Sequence, residues 1–163
     1  MARLPTPGGD DGNWGTLLNE FLDVEHNDDG THLDASTSEK GVVELATAAE
    51  VNGGSDTSRA VTPATLYTTQ TLTDGANIDW DVSAGVMATV TLGGNRTLNN
   101  PTNLVNGATY LLIVKQDGDG SRTLDYGDAY KFGDGEAPTL STDANAIDII
   151  AFLCDGTNLY GSF

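Results

Sequence analysis

Cysteine, histidine and basic residues are all scarce in this 163-residue chain. Cys154 is the single cysteine, so no intrachain disulfide framework and no cysteine-rich zinc site can form. The two histidines, His26 and His32, both lie in the N-terminal segment. Seven Lys and Arg stand against 24 Asp and Glu, a net charge of −17. Phosphate backbones and anionic membrane surfaces repel such a chain, which argues against nucleic-acid binding and membrane insertion. Long apolar runs are also missing. The longest, Tyr110 to Val114 and Ile149 to Cys154, fall far short of the roughly 20 residues that span a bilayer. Met1-Ala2-Arg3-Leu4-Pro5 leads into Thr, Pro and Gly rather than an apolar run, so a secretory signal is not expected. There is no G-x-S-x-G elbow, and Lys40-Gly41 reverses the Gly-Lys order of a phosphate-binding loop. Neither catalysis nor a cofactor is expected.

The acidity is of a particular kind. Aspartate outnumbers glutamate 18 to 6, lysine appears only as Lys40, Lys115 and Lys131, and the acids are dispersed along the chain. Dispersed like charges strain a compact state in dilute buffer. At about 1 M salt the screening length falls to roughly 3 Å and most of that strain disappears. Short hydrated carboxylates in place of lysines suit a halophilic setting; an acidic mesophilic surface is the competing reading.

The chain divides into three segments. Residues 1–35 begin with a turn-rich stretch, Pro5 to Gly12, after which Asn13 can cap a helix. Trp14, Leu17, Leu18, Phe21 and Leu22 share one face of that helix. So short a helix cannot cover its own apolar face. Residues 36–70 carry a Val42, Val43, Leu45 run suited to a short strand, a turn of helix capped by Thr47, and a second capped by Thr62 with Pro63. Residues 71–163 are β in pattern. Ile78, Trp80 and Val82 alternate, as do Val86, Ala88, Val90 and Leu92, and then Leu124 and Tyr126. Tyr110 to Val114 and Ile147 to Cys154 read as buried-type runs. The Asp-Gly turns between such runs are hairpin chemistry. The expected fold is mainly β, ending in a jelly-roll-like β-sandwich.

The string Lys40-Gly41-Val42-Val43-Glu44-Leu45-Ala46-Thr47, with Ala49-Glu50, Asp56-Thr57 and Arg59-Ala60-Val61-Thr62-Pro63, resembles the short repeat of tailed-virus tail-fibre proteins. Gly12-Asn13-Trp14-Gly15, Leu18-Asn19-Glu20-Phe21 and His26 to His32 look like the leading segment of such fibres. Leu92-Gly93-Gly94-Asn95-Arg96-Thr97-Leu98, Asn103 to Tyr110 and Asp155 to Tyr160 are similar to domains at fibre ends. The resemblance implies a homotrimeric virion protein with its N-terminus on the particle and its β domain outward, facing a host glycan or glycoprotein. A single copy of the repeat implies a short fibre and leaves open tail tip, collar or capsid surface. With the acidic composition it implies a halophilic host, an archaeon among the candidates. A capsid decoration or turret protein and a stand-alone carbohydrate-binding module are the alternatives.

Candidate residues divide accordingly. Trp14, Leu17, Leu18, Phe21 and Leu22 supply virion docking or threefold packing against other virion proteins or sister chains. Val42, Val43, Leu45, Val61 and Pro63 belong to the trimerisation repeat. Asp117, Asp119, Tyr126, Tyr130 and Phe132 form the host-binding loops, because aromatics beside carboxylates can stack on sugars and hold their hydroxyls. The competing reading of these aromatics is that they close the end of the sandwich. Metal ligands are not expected; His26 and His32, three copies converging on a threefold axis, are the weak candidates, against a plain turn-capping role. Cys154 and Trp80 read as core.

If salt screening holds the compact state together, the melting temperature falls sharply on dilution from about 1 M salt to about 50 mM. Unchanged melting across that range removes the halophilic reading.

Overall fold

The computed structural model describes residues 12–13, 15–18, 31–32, 34–38 and 41–162, the side chain of Asp134 aside. They fall into two compact units. The first holds the described residues up to Glu44 together with Ser58–Ala60. In it residues 15–18 form a helical turn, and the Leu17 N–H donates to the Asn13 carbonyl at 3.0 Å. The Val42, Val43 and Leu45 run does not become a strand. Val42 makes only an isolated bridge with Asp34, and Val42, Val43 and Leu45 are all exposed. No neighbouring ladder extends the pairing among the described residues.

The second unit comprises residues 45–57 and 61–162. It opens with two short helices, α1 (Ala48–Gly53) and α2 (Pro63–Leu66). Both start where capping chemistry places them. Thr47 and Glu50 form a reciprocal capping box on α1, and Pro63 occupies the first turn of α2 behind Thr62. The buried Asn52 ties α1 to the β region, donating to the Ser83 carbonyl and accepting from the Thr68 hydroxyl, each at 3.0 Å.

The β region holds nine strands among the described residues: β1 (Thr69–Thr71), β2 (Asn77–Ile78), β3 (Met87–Leu92), β4 (Arg96–Leu98), β5 (Thr109–Gln116), β6 (Leu124–Tyr126), β7 (Tyr130–Phe132), β8 (Ile147–Cys154) and β9 (Leu159–Ser162). They form a six-stranded sheet, β1-β3-β5-β8-β9-β7, and a three-stranded sheet, β2-β4-β6. The expectation of two sheets over one core holds, but the jelly-roll does not. Jelly rolls are antiparallel, whereas β1, β3 and β5 pair in parallel, as do β2, β4 and β6. The chain crosses from the large sheet to the small one and back three times; β1, β3 and β5 lie side by side, as do β2, β4 and β6, but β7 returns to the far edge of the large sheet, beyond β8 and β9. Only β8 breaks this order, running antiparallel to β5 and to β9.

The turns explain the difference. Asp117-Gly118-Asp119-Gly120, expected as a hairpin turn, instead carries the chain from β5 towards the other sheet. Gly120 has φ +71°, and any Cβ there would collide with the Thr142 backbone. Asp155 to Asn158 does close a hairpin, between β8 and β9. Gly85 lies against the β1 backbone, where a Cβ would sit 3.1 Å from the Thr69 carbonyl carbon. A side chain there would hold the second coil off the first.

The core fills the space between the sheets. Ala88, Val90 and Leu92 of β3, Tyr110, Leu112 and Val114 of β5, and Ile150, Phe152 and Cys154 of β8 point inward. Ile78, Trp80, Leu98, Leu124 and Leu159 meet them. Each large apolar side chain buried this way contributes about 1.5–3 kcal/mol. Two buried polar groups are satisfied by their own loops. Gln116 donates to and accepts from the Arg122 backbone, at 2.9 and 2.8 Å. Asp148 accepts both the N–H and the hydroxyl of Ser141 at 2.9 Å.

Candidate functional site

A chain of rings runs from the core to the surface. Trp80 meets Phe152 at 6.0 Å between centroids, Phe152 meets Tyr130 at 5.5 Å, and Tyr126 meets Tyr130 at 5.5 Å and Phe132 at 4.9 Å. The inner members, Trp80, Phe152 and Tyr130, are buried, and the Tyr130 hydroxyl donates to the Asn99 carbonyl at 3.1 Å. Tyr126 and Phe132 are half-buried. Strand alternation produces this: Tyr130 and Phe132 lie on the core side of β7, and Lys131 between them faces out.

Phe132 separates two clefts. One of about 340 Å³ is lined by Tyr126, Gly127, Asp128, Tyr130, Lys131, Phe132 and Gly135. The other, about 280 Å³, lies between Phe132, Gly133, Glu136, Pro138, Gly161 and Ser162. Gly127 and Gly161 make the walls possible, because a Cβ at the first would strike Asn100 and at the second the Phe132 ring. In the larger cleft the Lys131 ammonium donates to the Asp128 carbonyl at 2.6 Å, holding a cation beside a carboxylate-bearing turn. The Tyr126 hydroxyl is buried and has no hydrogen-bond partner among the described residues. Burial pushes the Tyr126 and Tyr130 phenols well above the ordinary tyrosine range, so both stay neutral and able to donate. Ring faces, a cation and a carboxylate together can hold a polyhydroxylated ligand.

Tyr126, Tyr130 and Phe132 are thus brought together, though Tyr130 is a core ring rather than a platform. Asp117 and Asp119 form a separate group. Arg122 donates to Asp117 at 2.8 and 3.0 Å and to Asp119 at 2.8 Å, while Asp117 also accepts the N–H groups of Asp119 and Gly120. The Arg122 guanidinium holds the Asp117 carboxyl below its usual range. Both carboxylate oxygens of Asp117 serve its own turn. Sequence reasoning misses Lys131 and Gly135; the Gly127-Asp128 and Gly133 to Gly135 turns flanking β7 are the available signal.

In the N-terminal segment Leu18 is exposed, and Trp14, Phe21, Leu22 and His26 lie outside the described residues. Val61 is exposed, and Pro63 opens α2. Among the described residues no group of three or more His, Cys, Asp and Glu could hold a metal ion. No described helix is long and apolar enough to cross a membrane. Cys154 is buried in β8, its Sγ accepting the Gly156 N–H at 3.2 Å.

The three C-terminal strings that resemble fibre ends centre on turns. Arg96 grips Asp74 through two hydrogen bonds of 2.7 and 2.9 Å, and Asn95 accepts the Thr123 N–H. The Tyr110 hydroxyl accepts the Val105 N–H at 3.1 Å, bracing the loop before β5. Asp155 accepts the N–H groups of Asn158 and Thr157 and the Tyr160 hydroxyl, at 2.6, 2.8 and 2.8 Å.

These donors, the Asn158 and Thr157 N–H groups foremost, hold the Asp155 carboxyl well below the usual carboxylate range. A carboxyl with a depressed folded-state pKa stabilises the fold above the unfolded value, about 3.9, and loses that contribution as pH falls below it. Asp155→Asn therefore melts below the wild type at pH 7, and the gap narrows below about pH 4. Thermal melts of both proteins across pH 2 to 8 check this; a gap independent of pH contradicts it.

Residues 83–159, just under half of the chain, match the family described as "Putative phage tail fibre C-terminal domain". No curated protein and no solved structure matches the chain. The matched segment runs from the 3₁₀ turn before β3 to the start of β9, and so contains most of the core and every residue lining the larger cleft; Gly161 and Ser162 of the smaller one lie beyond it. The match supports a place in the phage tail-fibre family and indicates a virion component located in the tail.

Proposed function

We propose that this protein is a short homotrimeric tail fibre that attaches to the particle by its N-terminal segment and presents the β unit to the host surface. The observation that carries the reading is the match of residues 83–159 to a tail-fibre C-terminal domain, a structural family rather than an enzymatic one. Exposed apolar side chains support attachment and threefold packing through the leading segments. Leu18, Val42, Val43, Leu45 and Val61 all stand open on the surface. The dispersed acidity fits a salt-rich host environment.

The larger cleft supports host recognition. Tyr126 and Phe132 offer half-buried ring faces, and Lys131 and Asp128 line the same cleft. These are the groups that stack on a sugar and hold its hydroxyls. Asp117 is held by its own turn, and Asp119, bonded to Arg122 through one oxygen, stands exposed apart from this cleft. One such cleft binds weakly; three on one rigid head gain through effective concentration.

In the test, the purified protein competes with intact virions for adsorption to host cells in the host's own salt. Wild type blocks adsorption, and Lys131→Ala or Phe132→Ala raises the concentration needed by about tenfold or more, the scale of a contributing contact residue. Wild-type protein that leaves adsorption untouched at saturating concentration overturns host recognition.

A further inference from the structure

The two apolar runs of the sequence, in β5 and β8, behave in an unexpected way. A continuous apolar strand is the pattern of burial on both faces. Here only one face is buried. Tyr110, Leu112, Val114, Ile150, Phe152 and Cys154 point into the core. The alternate residues point outward: Leu111 is 37% exposed, Ile147 58%, Ile149 59% and Leu153 63%. Register gathers them into rows across the large sheet. Leu111 lies beside Met87 and Ala151, Ile113 beside Ile149, and Leu153 beside Tyr160. The small sheet shows the opposite chemistry, its outward row being Asn77, Thr97 and Asp125.

Charge identifies what covers the apolar face. The chain carries 24 acids, yet no outward position of β1, β3, β5, β8 or β9 is one of them. Those positions hold Thr69, Thr71, Thr89, Thr91, Thr109 and Ser162 around the apolar rows, with Lys115 and Lys131 at the margins. Asp148, the acid within β8, faces inward, and Asp155 lies beyond the strand in its own turn. Two copies at −17 repel wherever carboxylates meet, and this face lets them touch with one carboxylate at its margin, Asp155, whose oxygens are already engaged by the Tyr160 hydroxyl and its own turn. An apolar centre with a neutral hydroxyl rim is also how association surfaces are built. Strands about 4.8 Å apart, rising about 3.4 Å per residue, give the sheet roughly 500–600 Å² in plan. A standard interface takes about 800 Å² of accessible surface per partner, so the face is of the right order.

We infer that the outer face of the six-stranded sheet is where a second copy of this chain packs, with Leu111, Ile113, Ile149 and Leu153 at its centre. The inference rests on the homotrimeric reading above and deepens it, moving the main seam from the leading segments to the β unit. Sister chains bury the second side of β5 and β8, which completes what the two runs encode. Because the contact is apolar between like-charged molecules, it tightens as salt rises.

The test is light scattering on the full chain at about 1 M salt. Wild type gives about 51 kDa, three chains of 17.0 kDa. Ile149→Thr with Leu153→Thr keeps β-branched strand formers and removes the apolar centre. It dissociates at concentrations at least about 100-fold higher than wild type does, while near-ultraviolet circular dichroism stays native. A native double variant that keeps the wild-type mass at every concentration overturns the inference and leaves the trimer standing on its leading segments. Wild type at the mass of one chain overturns the trimer itself. If the double variant does not fold, Thr89→Asp decides: it leaves the apolar side chains in place and sets a carboxylate among them. Loss of the wild-type mass then supports the inference, and retention overturns it.

Discussion

A β-strand has two faces, and among the described residues only one face of the main sheet is covered. The rest of the structure depends on how that single cover is arranged. Inward positions of β3, β5 and β8 carry Ala88 to Leu92, Tyr110 to Val114 and Ile150 to Phe152 in strict alternation, and the small sheet closes over them. The large rings of the core join in one seam from Trp80 through Phe152 to Tyr130. Slipping β8 by one residue would turn Phe152 outward and Leu153 inward, exchanging a filled core for a smaller side chain.

Parallel coiling brings its own demands, met mostly at turns. Each return of the chain must end one strand and aim the next into the other sheet without a hairpin. Arg96 on Asp74, Arg122 on Asp117, Gln116 on the Arg122 backbone and Gly85 against β1 each fix one such corner. Of the strings similar to fibre-end domains, the one around Arg96 fixes such a corner and the one from Asp155 to Tyr160 closes the β8–β9 hairpin. Recognition, on the reading proposed here, belongs instead to the flank of β7, where Tyr126 and Phe132 come to the surface beside Lys131.

Much of this is legible in the sequence, and the exceptions have physical reasons. The capped helices at Thr47 and Thr62 are readable because capping is local. The alternation of Ala88, Val90 and Leu92 names core residues because a period of two depends on the strand alone; Ile78, Trp80 and Val82 are buried too, although the strand ends at Ile78 and Val82 opens a 3₁₀ turn. Strand direction is not readable. Alternation says which face a residue takes but not which way its neighbour runs, so β1, β3 and β5 fit an antiparallel jelly roll as well as a parallel coil. Val42 and Val43 look like a strand through propensity, which yields when no ladder supports it. Asp117 and Asp119 look like ligands because their type suits the role, yet Asp117 is taken up by Arg122 and its own turn, while Asp119 gives Arg122 one oxygen and stays exposed. The runs at 110–114 and 147–154 have the pattern of doubly buried strands, and within one chain they are buried on one side.

Those two runs carry the central claim, that sister chains complete the sheet. A cryo-electron microscopy map of the assembled fibre tests it most directly. Side chains of Ile113, Ile149 and Leu153 in van der Waals contact with the neighbouring copy are the predicted result. Copies that touch only through their leading segments, with this face open to solvent, would contradict it.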